Sequence, residues 1–169
     1  NITYESVKVN MDRLFEGGYV LLTGTGCTTK NPPTYDRTPR VGFARILALP
    51  YGASNDIVTG WDSVYADGGQ GVALCSGDSG GAGYFVPNLV DITKREMISI
   101  NSRSQMVCVY GQNANGSCIN DVANILGKSY LSSLATSDAL DSLKKWTEKT
   151  GVQICGWNYH DSACRKSGP

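Results

Sequence analysis

Cys75-Ser76-Gly77-Asp78-Ser79-Gly80-Gly81 decides how the rest of this chain is read. Ser79 stands between an acidic residue and two glycines, with Ser76 and Gly77 just before it. Such a run has little side-chain bulk to bury, so core packing explains it poorly. Consecutive glycines allow positive φ and the close approach of another backbone. A hydroxyl on such a turn, with bare amides beside it, suits a nucleophile that needs an oxyanion site at its side. Gly, Ser and Asp are also ordinary residues of polar hairpin turns, but seven in this order exceed what a turn needs.

On either side the chain reads as short strands. Val72-Ala73-Leu74 leads into the run, and 82–86 leaves it as a strand. Upstream, residues 4–15 alternate apolar positions at Val7, Val9 and Met11, which predicts a half-buried strand. A turn at Glu16-Gly17-Gly18 precedes a more buried strand over 19–23, and Gly24-Thr25-Gly26 bends tightly into Cys27. Residues 28–40 hold three prolines and mixed charges, a surface loop. A strand is expected over 41–49, closed by Pro50, and two short strands over 51–70. Downstream, 96–101 alternates again and should pair across a hairpin at 87–95. Residues 102–120 read as an exposed polar loop around Cys108 and Cys118, and 129–134 as the last strand.

The first clear helix comes at 137–150. Ser137 is its expected N-cap, Asp138 and Asp141 favour its positive start, and Lys144, Lys145 and Lys149 favour its end. Ala139, Leu140, Leu143 and Trp146 make one apolar face, and Gly151 stops the helix. The order of elements predicts an all-β antiparallel barrel or sandwich closed by a C-terminal helix.

Composition narrows the function classes. The length, 169 residues, suits one domain with a real core. Zero net charge points to neither nucleic acid nor an anionic membrane as partner. No apolar run reaches membrane-span length and no signal-like start is present. The six cysteines, at 27, 75, 108, 118, 155 and 164, include no Cys-x-x-Cys pair, and there is one histidine. Disulfides therefore explain them better than a metal site, and a secreted protein is expected. Asn1-Ile2-Thr3 and Asn115-Gly116-Ser117 are glycosylation-type triplets compatible with that compartment.

Cys75–Gly81 resembles the nucleophile motif of chymotrypsin-like serine endopeptidases. Residues 19–27 (YVLLTGTGC) resemble the strand and Gly-x-Gly bend that open that family's second barrel. Residues 97–103 (MISINSR) resemble its substrate-binding strand, and 129–146 its last strand and closing helix. The Ile154-Cys155-Gly156 ending is most like secreted microbial members. The resemblance implies a six-stranded antiparallel β-barrel with a C-terminal α-helix over 1–156, then a short disulfide-tied tail at 157–169.

The resemblance also implies roles. Ser79 would be the acylating nucleophile, and the N–H groups of Gly77 and Ser79 the oxyanion hole, each contributing roughly 3–4 kcal/mol in the transition state. Asp78 would be the carboxylate that binds the α-amino group released on zymogen cleavage. Ala73 and Leu74 would lie at the floor of the primary pocket, and Asn101, Ser102, Arg103 and Lys128 along its walls. Without an acidic floor, cleavage after Arg or Lys is not expected. Arg103 or Lys128 would favour an acidic substrate side chain only if it pointed inward, and the favoured expectation is that both point to solvent. Cys75 would bridge to Cys108 or Cys118, with Cys27 as the rival partner. No cofactor and no metal are implied.

The chain departs from the family's pattern in two places. Ala82 follows Gly80-Gly81 where proline is common, with little expected effect on chemistry. More important, the triad needs a histidine base and a buried aspartate, which the family carries on a first barrel. The only histidine here is His160, in Trp157-Asn158-Tyr159-His160-Asp161. The expectation is a companion chain bearing His and Asp, with protein or peptide substrates and no turnover by this chain alone. A fragment and a non-catalytic homologue acting as a binding module are the other readings. Gly77–Gly81 also satisfies the Gly-x-Ser-x-Gly elbow of α/β-hydrolases with His160 as base, but nothing helical precedes residue 137.

Overall fold

The computed structural model describes residues 4–27, 29–30, 33–61, 72–87, 89–108, 113–115, 125–161 and 164. Its strands are β1 (Ser6–Val7), β2 (Tyr19–Gly24), β3 (Thr29–Lys30), β4 (Pro33–Thr34), β5 (Arg40–Ala48), β6 (Asp56–Trp61), β7 (Ala82–Phe85), β8 (Glu96–Cys108) and β9 (Ile125–Ser133). Among the described residues one α-helix, α1, spans Ser137–Thr150, and a short 3-10 turn covers Ile92–Lys94. Strands β8, β7, β2, β5, β6 and β9 pair in that order, and β9 pairs back onto β8. The result is a closed six-stranded antiparallel barrel with a C-terminal helix.

The barrel closes around alternating apolar side chains. Val20, Leu22, Ala44, Ile46, Ile57, Phe85, Ile98 and Leu131 form the core, with Leu14 and Leu74 sealing it. Each fully buried Ile or Leu contributes about 1.5–3 kcal/mol by leaving water. Toward the Cys75–Gly81 turn the interior becomes polar, with Thr59, Asn101 and Ser129 each at most 1% exposed.

Several expectations change. Alternation over 4–15 predicted one strand, yet only Ser6–Val7 forms one, parallel to Glu96–Met97, with a lone bridge from Tyr4 to Cys164. Lys8 N–H still reaches Met97 O (2.8 Å), after which the chain turns under the barrel so that Leu14 plugs its end. The loop expected over 28–40 contains the small β3–β4 hairpin. Of two strands expected over 51–70, Asp56–Trp61 forms, and residues 62–71 lie outside the described ones. The loop expected from 102 is instead the continuation of β8 to Cys108, held by β9 through Cys108↔Ile125. Residue 134 lies past β9, which begins earlier than expected, at Ile125.

Thr136, not Ser137, is the N-cap of α1: its hydroxyl accepts from Ala139 N–H. Gly151 ends the helix in the left-handed conformation and donates to Thr147 O. Cys155–Cys164 ties the tail, and Cys75 bonds to Cys27 rather than to Cys108 or Cys118. Cys118 lies outside the described residues.

Candidate active site

Ser79 is placed by hydrogen bonds that converge on its turn from three directions. Behind it, Gly80 N–H donates to Asn101 O and Asn101 N–H to Gly81 O, both at 2.8 Å, so β8 holds the two glycines. On the approach, Leu74 N–H donates to the buried Ser129 Oγ at 2.9 Å, fixing the entry to β9. At the side, the Cys27–Cys75 disulfide and Cys27 N–H to Ser76 O (2.9 Å) clamp the turn to the end of β2. Ser79 itself is exposed, and its hydroxyl donates to Ser102 O at 3.1 Å.

Asp78 organises the turn. Its Oδ1 accepts from Gly26 N–H (2.6 Å) and its Oδ2 from Cys75 N–H (2.8 Å). Both are charge-assisted bonds, roughly twice as strong as neutral ones. The carboxylate fits because residues 24 and 26 are glycines: a Cβ at 24 would overlap Asp78 Oδ1, and one at 26 would stand 2.6 Å from Asp78 Cγ. The Gly-Thr-Gly bend is therefore a cradle for this carboxylate. Gly24→Ala should expel it, leaving two N–H donors without their acceptor and costing at least about 2 kcal/mol. Urea denaturation measures this, and an unchanged midpoint would refute the cradle.

Among the described residues the turn leaves three amides open, those of Ser76, Gly77 and Ser79. Asp78 N–H donates to Cys75 O, Gly80 N–H to Asn101 O and Gly81 N–H to Asp78 O. The N–H groups of Gly77 and Ser79 have no acceptor among the described residues. Gly77 takes φ of 96°, the left-handed region that glycine alone enters at little cost. No family model matches this chain, and no curated protein matches it.

The other residues read as site candidates divide. Leu74, Asn101 and Ser102 converge on Ser79, but Leu74 (4% exposed) and Asn101 (1%) are buried supports rather than open walls. Ala73 and Leu74 line a cleft of about 280 Å³ on the side of the Gly24–Gly26 bend, shared with Arg40, Val72 and Asp78. Arg103 turns away: its guanidinium lies 4.3 Å from the Tyr130 ring on β9 and pairs with Asp56 on β6 at 2.9 Å. Lys128 alternates on β9 with the buried Gly127 and Ser129, so it faces outward across from Gln105. The arrangement that would favour an acidic substrate, a cation pointing inward, is absent from both positions.

His160 is exposed and borders a separate cavity with Ser6, Lys8 and Glu96. Glu96 begins β8, while Ser79 meets Ser102 six residues on, about 20 Å along a strand. His160 is thus no base for Ser79 in this fold.

Near the cleft, Asp36 pairs with Arg40, and this hydrogen bond holds the Asp36 carboxyl at about 2, below its ordinary 3.8. A depressed carboxyl stabilises fully above its unfolded value and loses that contribution as pH falls through the folded one. The pair should therefore persist at pH 5 and dissolve between about 4 and 2. Carbon-13 titration of the Asp36 carboxyl tests this; a midpoint near 4 would overturn it.

Proposed function

We propose that this chain is the nucleophile-bearing barrel of a secreted serine endopeptidase that hydrolyses peptide bonds through an acyl-enzyme on Ser79. The observation that carries this reading is the pair of open amides at Gly77 and Ser79, on either side of the committed Asp78 amide in the positive-φ turn at Gly77. An oxygen seated between them would receive two preorganised donors, each supplying roughly 3–4 kcal/mol as negative charge develops.

The chemistry follows the acyl-transfer pattern. A base takes the Ser79 proton while Oγ bonds to the substrate carbonyl carbon, and the carbonyl oxygen becomes an oxyanion facing the two amides. Collapse expels the amine, which carries off the proton from the base, and water then hydrolyses the ester. The Ser79 hydroxyl has Ser102 O as its partner, so the base must come to it. A companion chain carrying the histidine and aspartate supplies that group in this reading.

A second feature supports peptide substrates. The β7–β8 ladder stops at Ala82↔Ile100, whereas β9 follows β8 to Cys108. Beyond Asn101, no strand among the described residues pairs with the β7-side edge of β8 beside Ser79, where an extended peptide can add a strand. Disulfides Cys27–Cys75 and Cys155–Cys164 fit an oxidising compartment. Among the described residues no helix is long and apolar enough to cross a membrane.

A fluorophosphonate probe tests the proposal on the chain co-purified with its companion. Stoichiometric modification of Ser79 is expected in the complex, and intact mass should reveal the second polypeptide. Absence of modification in every preparation would favour the non-catalytic binding module instead.

A further inference from the structure

We infer that Asn101 is the positioning residue of the nucleophile turn, acting through Gly80, Gly81 and Thr23 and not as a wall of the substrate pocket. This rests on the reading of Ser79 as a nucleophile. Asn101 is 1% exposed, so it offers substrate no surface. Its backbone already bonds both ways to the glycines that follow Ser79. Its side chain reaches in another direction, with Nδ2 donating to Thr23 O at 2.8 Å.

That bond lies at the end of a sheet ladder. The β2–β7 ladder runs from Val20↔Phe85 to Leu22↔Gly83. The Leu22↔Gly83 pair leaves Thr23 O facing the β7 side, beside Gly81 and Ala82. The Asn101 carboxamide brings a side-chain donor to that carbonyl, while the Thr23 hydroxyl reaches Ala82 O at 2.9 Å. Only the nitrogen of the carboxamide can face a carbonyl, so the orientation of the group is determined by its partner.

Thr23 directly precedes the Gly24–Gly26 cradle of Asp78. Asn101 is thus joined by main-chain bonds to one side of the Ser79 turn and by its side chain to the strand that carries the other side. The two halves of the turn hold the open amides of Gly77 and Ser79 between them, so their spacing depends on a link of this kind. A residue of similar volume without the donor would fill the space and leave the link unmade. Misplacement of a reacting group by about 1 Å can cost about a hundredfold in rate.

The experiment uses the chain with its companion and compares Asn101→Leu, Asn101→Gln and a core control, Ile57→Val. The readouts are the fluorophosphonate inactivation constant separated from its binding constant, the phosphorus-31 shift of the Ser79 adduct, and the urea midpoint. Asn101→Leu is expected to slow inactivation at least about tenfold with little change in binding, and to move the phosphorus shift. Asn101→Gln, which keeps the donor, should recover part of the rate. Ile57→Val should lower the midpoint with rate and shift unchanged. Equal rates and shifts for Asn101→Leu and the parent protein would overturn the inference, as would a rate loss matched by the core control. If Asn101→Leu does not fold, Asn101→Gln alone decides: an unmoved phosphorus shift and a parent-like rate support the donor's role, and a rate as low as that of unfolded protein opposes it. If the parent protein itself is never modified at Ser79, the proposed function fails and not this assignment alone.

Discussion

Replacing Ser79 by alanine should lower peptide hydrolysis by the assembled enzyme by at least about a thousandfold, and by as much as about a millionfold. The residual rate would come from binding and from the open amides, which survive the change. Stability should barely move. The Ser79 side chain is exposed and, among the described residues, makes one hydrogen bond, to Ser102 O, worth about 1 kcal/mol or less at a wet surface. The contrast between the two measurements is the point of the variant. Activity retained to within tenfold would exclude Ser79 as nucleophile. A collapse of the urea midpoint together with activity would assign the residue to the fold instead.

The second large effect concerns stability. Cys27 and Cys75 are separated by 48 positions and their Cα atoms lie 5.3 Å apart. By the chain-entropy relation, a closed loop of this length contributes about 4 kcal/mol, compared with nearly 3 kcal/mol for the 9-position separation of Cys155–Cys164. Cys27→Ser with Cys75→Ser should therefore lower the unfolding free energy by about 4 kcal/mol, a large share of the total for a domain of this size. The loss should exceed that from removing the tail disulfide. The double variant should also take up fluorophosphonate more slowly in the complex, since the clamp between β2 and the Ser79 turn is gone. An unfolding free energy within about 1 kcal/mol of the parent protein's would mean that the reduced chain keeps this loop closed by other contacts.

Most of the barrel can be read from local patterns because its strands obey them. Tyr19–Gly24, Arg40–Ala48 and Ala82–Phe85 carry β-branched or aromatic residues bounded by glycine or proline, and Gly151 marks the helix end. The long β8 escapes such reading. Beyond Asn101 its residues are Ser102, Arg103, Ser104 and Gln105, a polar run that becomes a strand only because β9 pairs with it. The opposite failure occurs at residues 4–15, where real alternation forms no strand beyond Val7.

The site divides in the same way. The roles suggested for Gly77, Asp78 and Ser79 come from a compact motif, and the structure brings these residues together around one turn. The partner of Cys75 could not be read, since spacing among six cysteines leaves the pairing open. Nor could the place of Asn101. The family resemblance implied a pocket wall, and only the packing of β7, β8 and β2 turns its side chain inward to Thr23. The Gly24-Thr25-Gly26 bend was visible as a turn, but its fit to a carboxylate 52 residues on is a tertiary fact.

The anchoring of Leu74 by Ser129 sets the order in which this molecule can be completed. Ser129 belongs to β9, which closes the barrel against β6 through pairs such as Ile57↔Leu131, residues 74 positions apart (131 − 57). Contacts of such long range form slowly and late. During synthesis the segment from Cys75 to Gly81 emerges well before the strand that steadies it. A nascent chain therefore carries the serine without a finished setting, and the oxyanion site comes into being only when the last stave of the barrel arrives.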